Sequence, residues 1–271
     1  MKKLQLVILF LYLILFCEKL HSQDLVNGPA SIGQGGAYTT GTDLWSALNN
    51  QSSLADFDKT TIGVGYENRF LIKELSTKFA GAAIPVSRGV FGISVSQFGY
   101  SLYNRTKFGL AYSMKMSENI NAGIKIDYFH LNIGDIYGNA GTLTFEGGFN
   151  YTLSEKWLIG FHCFNPVMSK LADYNNERLT TFVRVGARFF ASPIVSFTTE
   201  IEKDISYKPS MKFGIDYKIA EYLFFRSGIS TKPTTFAFGF GIVLNSFILD
   251  FSSSYHEVLG FSPSTGIIYS F

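Results

Sequence analysis

Charge is scarce in this chain: only 16% of its 271 residues are Asp, Glu, Lys or Arg, against about 25% in an ordinary soluble domain. The 23 basic and 21 acidic residues nearly cancel, and neither a basic arm nor an acidic tail stands out. That balance excludes the one-sided charge of a general nucleic-acid binder. Two cysteines and seven prolines exclude a disulfide scaffold and a proline-rich or collagen-like chain. Beyond residue 22 no apolar run approaches the ~18 residues that a membrane helix needs. Abundant instead are aromatic residues, with 27 Phe and 15 Tyr, and glycine, with 26.

The first 22 residues have the form of an export signal. Lys2 and Lys3 precede Leu4 to Phe16, a tract whose one polar member is Gln5, and Glu18 and Lys19 end it. At 13 residues the tract is shorter than the ~20 required to span a bilayer. Cleavage is expected after Ser22, leaving 20 charges of each sign on the mature chain. An exported chain without membrane helices can still live in a membrane, but only as strands.

From Thr60 onward, apolar residues recur at every second position in segments of about ten. Leu143, Phe145, Gly147, Phe149, Tyr151 and Leu153 share one phase, and Thr142, Thr144, Glu146, Gly148, Asn150 and Thr152 share the other. Fourteen such segments fit between residues 60 and 271, several joined by connections too short for anything but a hairpin. The longer links, near 69–75, 132–140, 165–178 and 256–261, are expected to be extracellular loops. Two architectures suit a long antiparallel sheet, a soluble sandwich and a closed barrel. Tyr66, Tyr112, Tyr128, Tyr151, Trp157, Tyr217, Tyr255 and Tyr269 fall towards strand ends, as interfacial girdles do, and favour the barrel. The expectation is therefore an all-β, transmembrane antiparallel barrel of about 14 strands in a bacterial outer membrane. Its apolar phase is expected to face lipid. The ending Ile267, Tyr269, Phe271 resembles the C-terminal signal that outer-membrane barrels present to the barrel-assembly machinery, which implies that role for Phe271.

On that phase assignment the lumen holds charges of both signs. Lys125, Asp127, Glu146, Arg184, Arg188, Glu200, Asp216 and Arg226 are the expected ion-pairing set, because an unpaired enclosed charge is costly. A break in the wall is expected around Pro85, Gly89 and Gly92.

Residues 23–59 lack the ten-residue alternation and are rich in small residues. Gly33, Gly35, Gly36 and Ala37, then Asp43 and Trp45, then Asn49, Asn50, Leu54 and Ala55, form a pattern that resembles the N-terminal signature of FadL-type outer-membrane proteins. PorV and PorQ of type IX secretion belong to the same relatives. Asn50-Gln51, or Gln51-Ser52, stands where those proteins carry Pro-Ala. The resemblance implies that 23–59 folds into the lumen as a plug ahead of a barrel over 60–271. It also implies either uptake of a hydrophobic small molecule or a non-transporting role among secretion-system proteins, with outer-membrane lipid as the surroundings.

No catalytic motif competes. His162 and Cys163 are neighbours on a strand and point to opposite faces, which forbids a shared metal or a Cys/His pair. Ser254, Tyr255 and His256 lack a nucleophile turn, and Gly33 to Gly36 lacks the Lys-Ser/Thr of a phosphate loop. Neither an enzyme activity nor a cofactor is expected.

Overall fold

The computed structural model describes residues 27–134, 138–170 and 178–271. The expected signal peptide, residues 1–22, lies outside them. Two short helices, α1 (Pro29–Gly33) and α2 (Ser46–Asn49), and a 3-10 turn (Gln51–Asp56) precede the first strand.

Fourteen strands follow. They are β1 (Thr61–Asn68), β2 (Ser76–Val86), β3 (Gly89–Tyr100), β4 (Tyr103–Ser117) and β5 (Ile120–Ile133). Next come β6 (Gly138–Ser154), β7 (Trp157–Phe164), β8 (Phe182–Ser192), β9 (Val195–Asp204) and β10 (Ser210–Ala220). The last are β11 (Leu223–Thr231), β12 (Thr234–Leu244), β13 (Phe247–His256) and β14 (Gly260–Ser270). Each pairs antiparallel with its sequence neighbours, and β14 pairs with β1, so the sheet closes on itself and leaves no edge. Beyond the last rung the Phe271 amide donates to the Thr60 carbonyl at 3.0 Å, extending the closing seam.

Side-chain alternation sets the inside and the outside. Along β9, Ser196, Thr198, Glu200, Glu202 and Asp204 are buried, while Phe197 and Ile201 are exposed. Along β10, Ser210 and Lys212 are buried and Met211, Phe213, Ile215 and Tyr217 are exposed. A soluble sandwich shows the reverse arrangement, with apolar side chains inward.

Two-residue turns at 87–88, 118–119, 155–156, 193–194, 221–222 and 245–246 all lie at one end of the barrel. The links of three residues or more, which follow β1, β5, β7, β9 and β13, all lie at the other, the loop end, together with the two-residue turns at 101–102 and 232–233. Residues 135–137 and 171–177 of those links are outside the described set. The expected break at Pro85, Gly89 and Gly92 is absent from this wall. The β2/β3 ladder runs from Thr77↔Phe98 to Val86↔Gly89 without a register shift, and Gly92 instead makes room for Leu54 within the lumen. Tyr112, expected in a girdle, sits mid-strand in β4, because that strand continues outward to Tyr103.

Candidate functional site

The segment before β1 runs through the interior of the ring. Pro29 to Gly33, Leu44 to Ala47 and Asn49 to Ala55 are buried. Its apolar side builds a core with the inward faces of β2, β3 and β14, made of Leu44, Trp45 and Leu54 with Phe79, Val90 and Ile268. The wall approaches so closely that side chains are excluded. A Cβ on Gly228 would lie 2.2 Å from the Gln34 carbonyl carbon, one on Gly148 2.1 Å from Asn50 Oδ1, and one on Gly266 2.6 Å from the Trp45 ring.

The motif glycines behave differently from one another. Gly35 and Gly36 have φ of +66° and +78°, a region that favours glycine, whereas Gly33 fits against Gly239 and the Arg226 stem. Asp43 accepts from the Tyr38 hydroxyl at 2.5 Å and from the Trp45 amide at 2.9 Å. Burial pushes the Asp43 carboxyl, which lies off the spanning strands, up to about 6; the Asp250 charge adds to this and Arg226 opposes it. Trp45 Nε1 donates to Asp250 Oδ2 at 3.1 Å. Asn49 donates to the Asn27 and Trp45 carbonyls, and Asn50 to the Thr39 carbonyl and Asn150.

The luminal charges fall into three groups. In the first, Lys107 and Lys125 lie within 4 Å of Asp127 and Glu146, and His162 Nε2 is 3.0 Å from Glu146. In the second, Arg184 Nε and Lys212 Nζ reach Glu202 at 2.6 and 2.8 Å, and Lys212 also reaches Glu200 at 3.1 Å. In the third, Arg226 bridges Asp216 at 3.0 Å and Asp250 at 2.6 Å. Arg188 stands apart, donating to Gln34 Oε1 and Thr198 Oγ1.

The N-terminal segment is tied to each group. Lys125 Nζ donates to the Ala47 carbonyl at 3.1 Å, and Gln34 Nε2 donates to Asp216 at 3.3 Å. Glu200 Oε2 accepts the amides of Tyr38 and Thr39 at 2.9 and 2.8 Å, together with the Thr39 hydroxyl. Sequence reasoning missed Gln34, Tyr38, Thr39 and His162. His162 was readable from its phase, which it shares with Gly160 and Phe164; the other three lie in a segment with no period to read.

Towards the loop end the inward phase changes character. Phe129, Leu131, Phe164, Leu179 and Phe182 are buried together, with Tyr103 and Ile133 packed against them. Phe164 and Phe182 stack at 5.2 Å, and Lys107 Nζ stands 4.9 Å above the Phe164 ring. A packed apolar cluster therefore adjoins the first charged group through Lys107. At the same end of the barrel, His256 Nδ1 accepts the amides of Val258 and Leu259, which accounts for it as a turn residue. Among the described residues no group of three or more His, Cys, Asp or Glu could hold a metal.

The sequence matches no family model and no curated protein. Solved structures do match in fold. The Pseudomonas putida toluene transporter TodX superposes with a TM-score of 0.67 at 11% identity, over 93% of this chain and 99% of that one. A Pseudomonas aeruginosa FadL homologue superposes with a TM-score of 0.58 at 12% identity, over 91% and 98%. The Acinetobacter baumannii outer membrane protein Omp33 gives 0.51 at 8%, over 79% and 98%. At these identities the likeness is one of fold, a FadL-like 14-strand barrel.

Proposed function

We propose that this chain is a bacterial outer-membrane barrel that takes up a hydrophobic small molecule, with the N-terminal segment acting as a plug. One observation carries the reading: the aromatic cluster of Phe129, Phe164 and Phe182 on the inward phase at the loop end, apart from the apolar core that seats the N-terminal segment. Inward apolar surface lowers the free energy of an apolar solute arriving from outside, while the charged groups beneath it repel that solute unless the plug shifts. The outward band of exposed Phe, Ile and Leu side chains suits hydrocarbon. The toluene transporter TodX shares this fold, which supports an apolar cargo here.

The test is uptake of radiolabelled toluene by intact Gram-negative cells, with a small sugar as the polar control. Cells producing the chain should take up toluene faster than cells without it, and the Phe164→Ala/Phe182→Ala double variant should lose the gain while still assembling. Equal toluene uptake with and without the chain would sink the reading.

A second role, a non-transporting component of type IX secretion, is favoured by how firmly the plug is tied to all three charged groups. Stoichiometric co-purification of secretion subunits, without toluene uptake, would select it.

A further inference from the structure

Gly147 is the one glycine in the described chain whose missing side chain nothing inside the molecule explains. A Cβ built on it meets no heavy atom within 4 Å, and its φ lies outside the left-handed region. Gly138 and Gly260 also have open space, but both have positive φ; every other glycine has a neighbour within 4 Å. A mid-strand glycine weakens its strand and often marks close approach by something else. Here that something must lie outside the barrel, because Gly147 is on the outward phase of β6.

Its surroundings form a dent in the outer wall. Across the ladders Gly147 pairs with Ile124 on β5 and Cys163 on β7, and the next outward rung sets Ala122 beside Phe149. The small residues Gly147, Ala122 and Cys163 floor a cavity of about 690 Å³, and Tyr112, Phe149 and Phe161 stand around it. That volume lies within the ~300–1,000 Å³ of ordinary ligand sites. Phe149 and Phe161 are stacked at 5.3 Å and so present one flat apolar wall. The lining carries no charged group.

We infer that this dent is a binding site for a fatty acyl chain of a membrane lipid. The inference rests on the membrane location proposed above. A lining without charge suits hydrocarbon and offers a protein partner little of the polar rim that interfaces carry. A second copy whose two-fold axis ran through the dent would bring one concavity against the other and leave a void. A flexible chain fills a concavity that a neighbouring barrel cannot.

The full chain assembled in phosphatidylethanolamine/phosphatidylglycerol vesicles tests this, using a phosphatidylcholine that carries a diazirine midway along one acyl chain. After irradiation, label should concentrate on peptides bearing Phe149 and Phe161 relative to those bearing Phe213 and Phe238. Gly147→Leu should cut that enrichment about fivefold, the change expected for losing burial of one or two methylenes. Gly147→Ala, which the open space accommodates, should cut it less. Labelling that is even around the wall, or unchanged in both variants, overturns the site while leaving the membrane location intact. A cross-linked dimer through this face that Gly147→Leu abolishes assigns the dent to a second copy and overturns it also. A chain that fails to insert overturns both readings.

Discussion

Thr39 and Glu200, 161 residues apart, are joined by two hydrogen bonds: the Thr39 amide and hydroxyl both donate to Glu200 Oε2, at 2.8 and 2.5 Å. The Tyr38 amide donates to the same oxygen at 2.9 Å. One carboxylate on the wall therefore holds a turn of the luminal segment by three donors, while Lys212 balances its charge.

Removing that acceptor strands donors in an enclosed place. Glu200→Ala is expected to cost the segment's docked state about 2–3 kcal/mol. Hydrogen exchange at the Tyr38 and Thr39 amides should quicken, while exchange in the strand ladders stays slow. Unchanged protection of those two amides would contradict the assignment of Glu200 as a tie.

Asp43 is expected to give the segment a pH dependence of definite sign. Its carboxyl is raised to about 6 in the folded chain by burial, whereas the unfolded chain ionises near its ordinary value. The folded state thus holds the proton longer, and the docked segment loses stability as pH rises from near 4 through about 6, by up to about 3 kcal/mol. Asp43→Asn lacks this loss. Exchange of the amides between Tyr38 and Trp45 should therefore differ between the two proteins more at about pH 7.5 than at about pH 5. A gap independent of pH would refute the sign.

Gly228 and Gly147 make a steric pair of opposites. At Gly228 an added methyl would lie 2.2 Å from the Gln34 carbonyl carbon and 2.3 Å from the Gly35 nitrogen, both backbone atoms that cannot swing aside. Gly228→Ala should destabilise the seated segment by about 2 kcal/mol or more, and limited proteolysis should then nick residues 27–59. Gly147→Ala should leave that digestion pattern as in the parent chain. Equal behaviour of the two variants would contradict the seating.

Phe213 tests which face meets hydrocarbon. It projects outward and is 47% exposed. Phe213→Arg in vesicles is expected to lower unfolding stability by about 2–4 kcal/mol if the residue lies near mid-bilayer. Urea titration of the vesicle-assembled barrel reads the change. A shift close to zero would place Phe213 in water.

Much of the wall was legible because its cause is local. Period-two alternation along Leu143 to Leu153 states which residues share a face, and the same rule placed Lys125, Asp127 and Glu146 on one side. The loop and turn ends were harder to read, because β4, β5 and β6 extend past the apparent apolar segments and blur their boundaries. The break expected at Pro85, Gly89 and Gly92 failed for a tertiary reason: Gly92 is small to admit Leu54, and Pro85 still takes its place opposite Val90.

By itself the sequence indicated a count of about 14 strands and determined which side chains of each share a face, since alternation is a property of neighbouring residues. The tertiary structure alone decided that β14 closes on β1, that Trp45 meets Asp250 and Thr39 meets Glu200, and that the glycines on the inward phase seat the N-terminal segment. These contacts join positions up to about two hundred residues apart. Which of many chemically equivalent partners meet is fixed only when ring closure sets the register of every strand at once.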